Sequence, residues 1–107
     1  MKYFTIKELT KSGTAMRLGI DNNPDKKALL NLEKLIKYIL DPLREAYGKP
    51  IVISSGYRCE KLNRILGGSK TSQHSTGEAV DIRSVSDTPE DNKELFDLIQ
   101  KLNLPFD

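Results

Sequence analysis

Apolar residues recur at steps of three and four along the middle of the chain: Leu29, Leu32, Ile36, Ile39 and Leu43, with Leu35 and Leu40 widening the stripe. That spacing predicts a helix over Leu29–Ala46 with one face in the core. Pro24 or Asp25 suits its first turn, and Gly48 followed by Pro50 marks its end. Pro42 interrupts it, because proline lacks the N–H donor and crowds the preceding turn. Either the helix kinks there, or Asp41 caps a second short helix with Pro42 at its first position. A further helix is predicted over Pro89–Leu102. Thr88 is its cap, Glu90 and Asp91 lie in its opening turn, Leu95, Leu98, Ile99 and Leu102 form its apolar face, and Asn103 ends it.

The remaining segments are shorter. Ile51–Ser55 is rich in β-branched residues and reads as a strand, and Glu78–Arg83 alternates with period two, giving a second strand over Ala79–Ile82. Thr5 and Glu8 form a capping-box pattern ahead of a short helical turn with Ile6 and Leu9 inward. Lys11–Asn23, with Ser12, Gly13, Gly19 and Asp21, reads largely as loop. Cys59–Leu66 reads as a helix with Leu62, Ile65 and Leu66 inward, stopped by Gly67 and Gly68, and Ser84–Asp87 reads as a turn. The sum is one α+β domain over 1–107, a small and mostly antiparallel sheet packed with helices.

Composition narrows the function classes. At 107 residues with 37% hydrophobic and 30% charged residues, the chain can bury a core. Its net charge of +2 is spread along helix faces among acids, without the one-sided excess of a nucleic-acid footprint. No apolar run reaches the roughly 20 residues of a membrane span. Met1-Lys2-Tyr3-Phe4 has no signal-peptide core behind it, so synthesis in the cytoplasm is expected. Cys59 is the single cysteine and fits a small buried hydrophobe.

Two side chains suggest chemistry. Asp81 falls in an apolar strand between Val80 and Ile82, where an ionised carboxylate is costly unless paired, hydrogen-bonded or bound to metal. His74, the single histidine, lies seven positions earlier in a polar loop, with Gly77 between them to turn the backbone. Imidazole nitrogen and carboxylate oxygen both suit zinc. The plainer alternative is a surface histidine and an Asp81 paired with Arg58 or Arg83.

The run Ser72-x-His74-x-x-Gly77-x-Ala79-x-Asp81 resembles the S-x-H-x-x-G-x-A-x-D signature of the zinc D-Ala-D-Ala peptidases, with five fixed positions within ten residues. These share a fold with the Hedgehog signalling domain, and include carboxypeptidases, dipeptidases and phage endopeptidases of the endolysin kind. Ser55-Gly56-Tyr57-Arg58 and Asn63 resemble the S-G-[YF]-R…N segment that precedes the signature. Phe4-Thr5-x-x-Glu8-Leu9 and Asp41-Pro42-Leu43-Arg44 are similar to a small phage and bacterial branch.

The resemblance implies a zinc metallopeptidase that cuts peptidoglycan stem peptides, either at D-Ala-D-Ala or at L-Ala-D-Glu, and acts at the cell wall. By position it makes His74 and Asp81 zinc ligands. Arg58 would hold a substrate carboxylate or the oxyanion. Ser72 and Tyr57 would bind substrate or shape the site, while Gly77 and Ala79 would leave room for the metal and the neighbouring strand. The family's third ligand, a histidine, and its catalytic acid come from a later strand, and no second histidine is present here. The expectation is a domain cut off before that strand, binding zinc weakly, inactive alone, and with a bare sheet edge or apolar patch near Leu104–Phe106. The alternative is a non-catalytic member that binds wall peptide or a protein partner.

Overall fold

The computed structural model describes residues 2–102. In chain order these form α1 (Ile6–Thr10), α2 (Gly13–Leu18), α3 (Lys26–Leu35), a π-helical turn at Ile36–Leu40, α4 (Asp41–Tyr47), β1 (Ile51–Ser55), α5 (Glu60–Ile65), a 3-10 turn at Gln73–Thr76, β2 (Asp81–Ser84) and α6 (Pro89–Lys101). The strands pair antiparallel, and α6 packs against both α4 and β2. The class is α+β, as the sequence predicts. The expected patch near Leu104–Phe106, and Asn103 as a helix end, lie outside the described residues.

The central helix begins at Lys26 because the Asp25 carboxylate accepts the Ala28 N–H at 2.7 Å. At Pro42 the predicted Asp41 cap does not form, since Asp41 is itself helical. The Asp41 N–H reaches five residues back to the Ile36 carbonyl, and this one widened turn carries the helix past the proline's missing donor. Asp41 therefore does not cap; its carboxylate accepts the backbone N–H groups of Lys2 (2.7 Å) and Tyr3 (2.9 Å), fastening the start of the chain. The stripe is core as expected: Leu32, Ile36 and Leu43 are fully buried and Leu40 nearly so, packed with Phe4, Leu9, Tyr47, Ile51 and Leu95.

Three expectations need correction. The loop predicted over Lys11–Asn23 contains α2, whose Ala15 N–H is accepted by the Ser12 hydroxyl and which ends at left-handed Gly19. Within α2 only Ala15 is buried, while Met16 and Leu18 face solvent, so no apolar period announces it. In α5 the inward residues are Leu62 and Asn63, whereas Ile65 and Leu66 are exposed. The second strand spans Asp81–Ser84 instead of Ala79–Ile82. Its start is set by its partner: β1 ends at Ser55, which lies opposite Asp81, so residues before 81 have nothing to pair with.

Candidate metal centre

β1 leaves the sheet at Gly56 because the next backbone donor, Tyr57 N–H, bonds to the Leu9 carbonyl of α1 at 2.7 Å. The chain then turns toward α5, and Arg58 N–H is accepted by the His74 carbonyl at 3.1 Å. These bonds bring the 55–58 segment beside the 3-10 turn that carries the histidine. That turn opens at Ser72, whose hydroxyl accepts the His74 N–H, and closes at Gly77 with φ of 76°. A Cβ at Gly77 would overlap the Ala28 carbonyl of α3. Gly77 thus makes room for a helix backbone, a correction to the expected space for metal and strand. Asn31 on α3 also donates to the Thr76 carbonyl at 2.9 Å.

The imidazole of His74 is held at both ends. Its Nδ1 lies 2.8 Å from the Gly56 carbonyl. A carbonyl only accepts, so Nδ1 carries a proton, and in the neutral ring Nε2 presents its lone pair. That Nε2 is 3.5 Å from Asp81 Oδ2. Two donors each about 2.0–2.2 Å from one tetrahedral zinc lie about 3.4 Å apart, so the pair has the separation such an ion requires. A backbone carbonyl behind the histidine also fixes its tautomer, as metal-ligating histidines ordinarily require. Ser84 N–H, at the other end of β2, is fixed by Asn92 Oδ1 at 2.9 Å, which locks the strand against α6.

Asp81 is not in a sheet interior. It opens β2 and its side chain is 61% exposed, against 15% for His74, so burial places no demand on it for a partner. Neither arginine meets it. Arg83 Nη1 donates to the Ser84 and Val85 carbonyls. The guanidinium of Arg58 donates from Nε and Nη2 to Ser55 Oγ (3.3 and 3.0 Å) and from Nη1 to Asn63 Oδ1 (3.5 Å).

His74 and Asp81 line a groove of about 740 Å³ whose apolar wall includes Leu35, Ile39, Leu43, Val80, Phe96 and Ile99, and to which Gln73 and Glu78 also contribute. Arg58 is not among the residues lining it. Tyr57 is buried in the core, and loss of solvent pushes its phenol above the ordinary range, with Cys59 and Asp25 adding to the shift. Among the described residues no group of three or more His, Cys, Asp or Glu side chains converges as a metal cluster, so the geometry joins two donors.

Two asparagines position the site: Asn63, which the sequence marks through the S-G-[YF]-R…N resemblance, and Asn22, which left no sequence signal beyond its polarity. Asn22 donates Nδ2–H to the Thr10 (2.9 Å) and Tyr57 (3.0 Å) carbonyls and accepts the Cys59 N–H at 2.8 Å, tying α1 to the segment before α5. Asn63, buried on α5, donates to the Ser69 carbonyl at 2.7 Å while its Oδ1 faces Arg58. Asn22→Ala removes three bonds worth about 1 kcal/mol each, and the expected loss is about 2–4 kcal/mol in urea unfolding. An unchanged midpoint would make the asparagine dispensable.

Comparison with known proteins places this geometry in context. The model of the family described as Peptidase M15 matches residues 2–102. No curated protein and no solved structure matches the chain.

Proposed function

The chain belongs to the peptidase M15 family, a family of zinc peptidases, and on that premise we propose that it acts on the peptide stems of peptidoglycan with His74 and Asp81 as two zinc ligands. The observation that carries the reading is the 3.5 Å approach of His74 Nε2 to Asp81 Oδ2, with the other imidazole nitrogen engaged by Gly56. When bound, zinc supplies an activated water and polarises the carbonyl to be cut. The chain's own part is to engage Nδ1 with the Gly56 carbonyl, which orients the ring so that Nε2 is aimed outward, and to set Asp81 beside it from the start of β2. The groove beyond them offers an apolar wall for substrate.

Arg58 is proposed to meet the substrate carboxylate or the oxyanion by releasing its fork from the Ser55 hydroxyl, a neutral acceptor that a charged one outcompetes. In an active enzyme that carries the third ligand and the base, Arg58→Ala is expected to lower kcat by about 10²-fold with zinc content unchanged. An unaltered kcat would leave Arg58 as a brace for α5. Ser72 is proposed to act through the turn it caps, and Tyr57 to shape the site from the core.

The test of the reading is cleavage of purified cell walls, followed by released D-alanine or new amino termini. Cleavage that depends on added zinc and disappears in His74→Ala supports it. A second reading is favoured by one observation, that the described residues gather two donors where a catalytic zinc takes three. On that reading the chain holds wall peptide without cutting it. Wall binding with no cleavage at any zinc concentration would select it.

A further inference from the structure

Arg58 is half-buried, and among the described residues no carboxylate pairs with it. Its Nε and Nη2 donate to one hydroxyl, Ser55 Oγ, and its Nη1 donates to Asn63 Oδ1 at 3.5 Å. A guanidinium can only donate, so neutral oxygens alone fix the direction of this fork.

Asn63 is 3% exposed, and its neighbours dictate which way its amide lies. The Ser69 carbonyl only accepts, so Nδ2 is at that end, donating at 2.7 Å. The guanidinium at the other end demands the oxygen. Gly68 closes the remaining side, because a Cβ there would overlap Asn63 Oδ1 and Cγ. Gly68 is not among the left-handed glycines, so the Asn63 side chain, and not a backbone bend, is what excludes a larger residue.

The two bonds of this amide differ in strength. The one to Ser69 is short, whereas 3.5 Å is the limit of a hydrogen bond, against about 2.7–2.9 Å for a good charge-assisted one. The amide is thus anchored on Ser69 and steers the arginine without clamping it. The same Ser69 carbonyl accepts the Ser72 N–H at 3.1 Å, and Ser72 Oγ accepts the His74 N–H. The His74 carbonyl in turn accepts the Arg58 N–H, which closes a circuit between arginine and histidine.

We propose that Asn63 is the positioning residue of Arg58: it aims the fork and, through the Ser69 carbonyl, ties it to the turn that carries His74. What the fork then meets rests on the peptidase reading above; its aim does not. The role needs an amide. A carboxylate of the same shape would hold the guanidinium about twice as strongly and would set a second oxygen against the Ser69 carbonyl. The arginine would be spent on it and the turn loosened.

The experiment follows the two Arg58 Nη nitrogens by NMR in the 107-residue chain without metal. Rotation about the Nε–Cζ bond exchanges them, so a held fork exchanges slowly. Asn63→Ala is expected to speed this rotation about tenfold, the factor one hydrogen bond supplies, and to speed hydrogen exchange of the Ser72 amide. Asn63→Asp should split the two effects, slowing the rotation while the Ser72 amide exchanges faster. Gly68→Ala keeps Asn63 but pushes its amide aside, and should reproduce the faster rotation. Exchange of the core Leu32 and Ile36 amides reports the stability each variant loses. A purely structural asparagine would move those amides and leave the rotation at its parent rate, which overturns the proposal. Unchanged rotation in Gly68→Ala overturns it equally. Millimolar N-acetyl-D-alanyl-D-alanine added to the parent separates this inference from the peptidase reading. Nη signals that ignore the peptide, with the variant effects intact, would refute the substrate role of Arg58 and leave its aim standing. Signals that follow the peptide while no variant alters the rotation would do the reverse.

Discussion

Replacing His74 with alanine is expected to lower zinc affinity by more than the roughly 10–100-fold that follows loss of a residue behind a ligand. The ring is the better fixed of the two donors. Its Nδ1–H is spent on the Gly56 carbonyl at 2.8 Å, so Nε2 needs no change of tautomer or orientation to bind metal. Asp81, more exposed, must be drawn from solvent and ordered on binding. Asp81→Asn, which keeps the shape and removes the charge, should therefore weaken binding less than His74→Ala. Competition against a chromophoric chelator measures both. Circular dichroism of each variant checks that the fold persists, because the alanine also leaves the Gly56 carbonyl without its donor. Zinc affinity equal to the parent's in His74→Ala would remove the site from this pair altogether.

The parts of this geometry that were legible in the sequence are those with a local signature. Thr5 and Thr88 accept N–H groups from the first turns of their helices, as their spacing predicts. Gly48 closes α4 in the left-handed conformation. The resemblance of Ser72-x-His74-x-x-Gly77-x-Ala79-x-Asp81 to the peptidase signature implies that histidine and carboxylate meet, which spacing alone leaves open, and the two lie 3.5 Å apart. What was not legible depends on partners far along the chain. Asn22 bonds to residues 35 and 37 positions away, and no period records such a bond. The strand frame failed for a related reason, since alternation fixes faces but not the residue where pairing starts. The π-helical turn was hidden because its cause, Pro42, is equally compatible with a kink or a new cap. Asp81 reads as interior from its apolar neighbours in sequence, but those are not its surroundings in space, where its side chain is exposed.

Gly56 braces both the fold and the histidine, and Gly56→Ala is expected to be among the most damaging single-atom additions in the chain. A Cβ there would overlap the Leu9 carbonyl oxygen, and it would press on the Leu9 carbonyl carbon and Cα as well. No rotamer change relieves a clash with backbone. Leu9 is fully buried, so α1 must move bodily, and its carbonyl then loses the Tyr57 N–H it accepts at 2.7 Å. Overpacking of this kind costs about 3 kcal/mol or more, a large share of the roughly 5–15 kcal/mol that holds a small domain. For a chain of this size the melting temperature should fall by on the order of 10–20 °C. Gly13→Ala is the control, because a Cβ there meets nothing within 4 Å and the substitution should be neutral or stabilising by about 0.4–1 kcal/mol. The loss at Gly56 should also reach the metal centre, because the same residue's carbonyl holds His74 Nδ1. Zinc affinity measured well below the variant's melting temperature should still be reduced. A variant that melts within about 2 °C of the parent would show that the Leu9–Gly56 approach is looser than the close contact described here. One that melts early but binds zinc normally would separate the brace on the fold from the brace on the histidine.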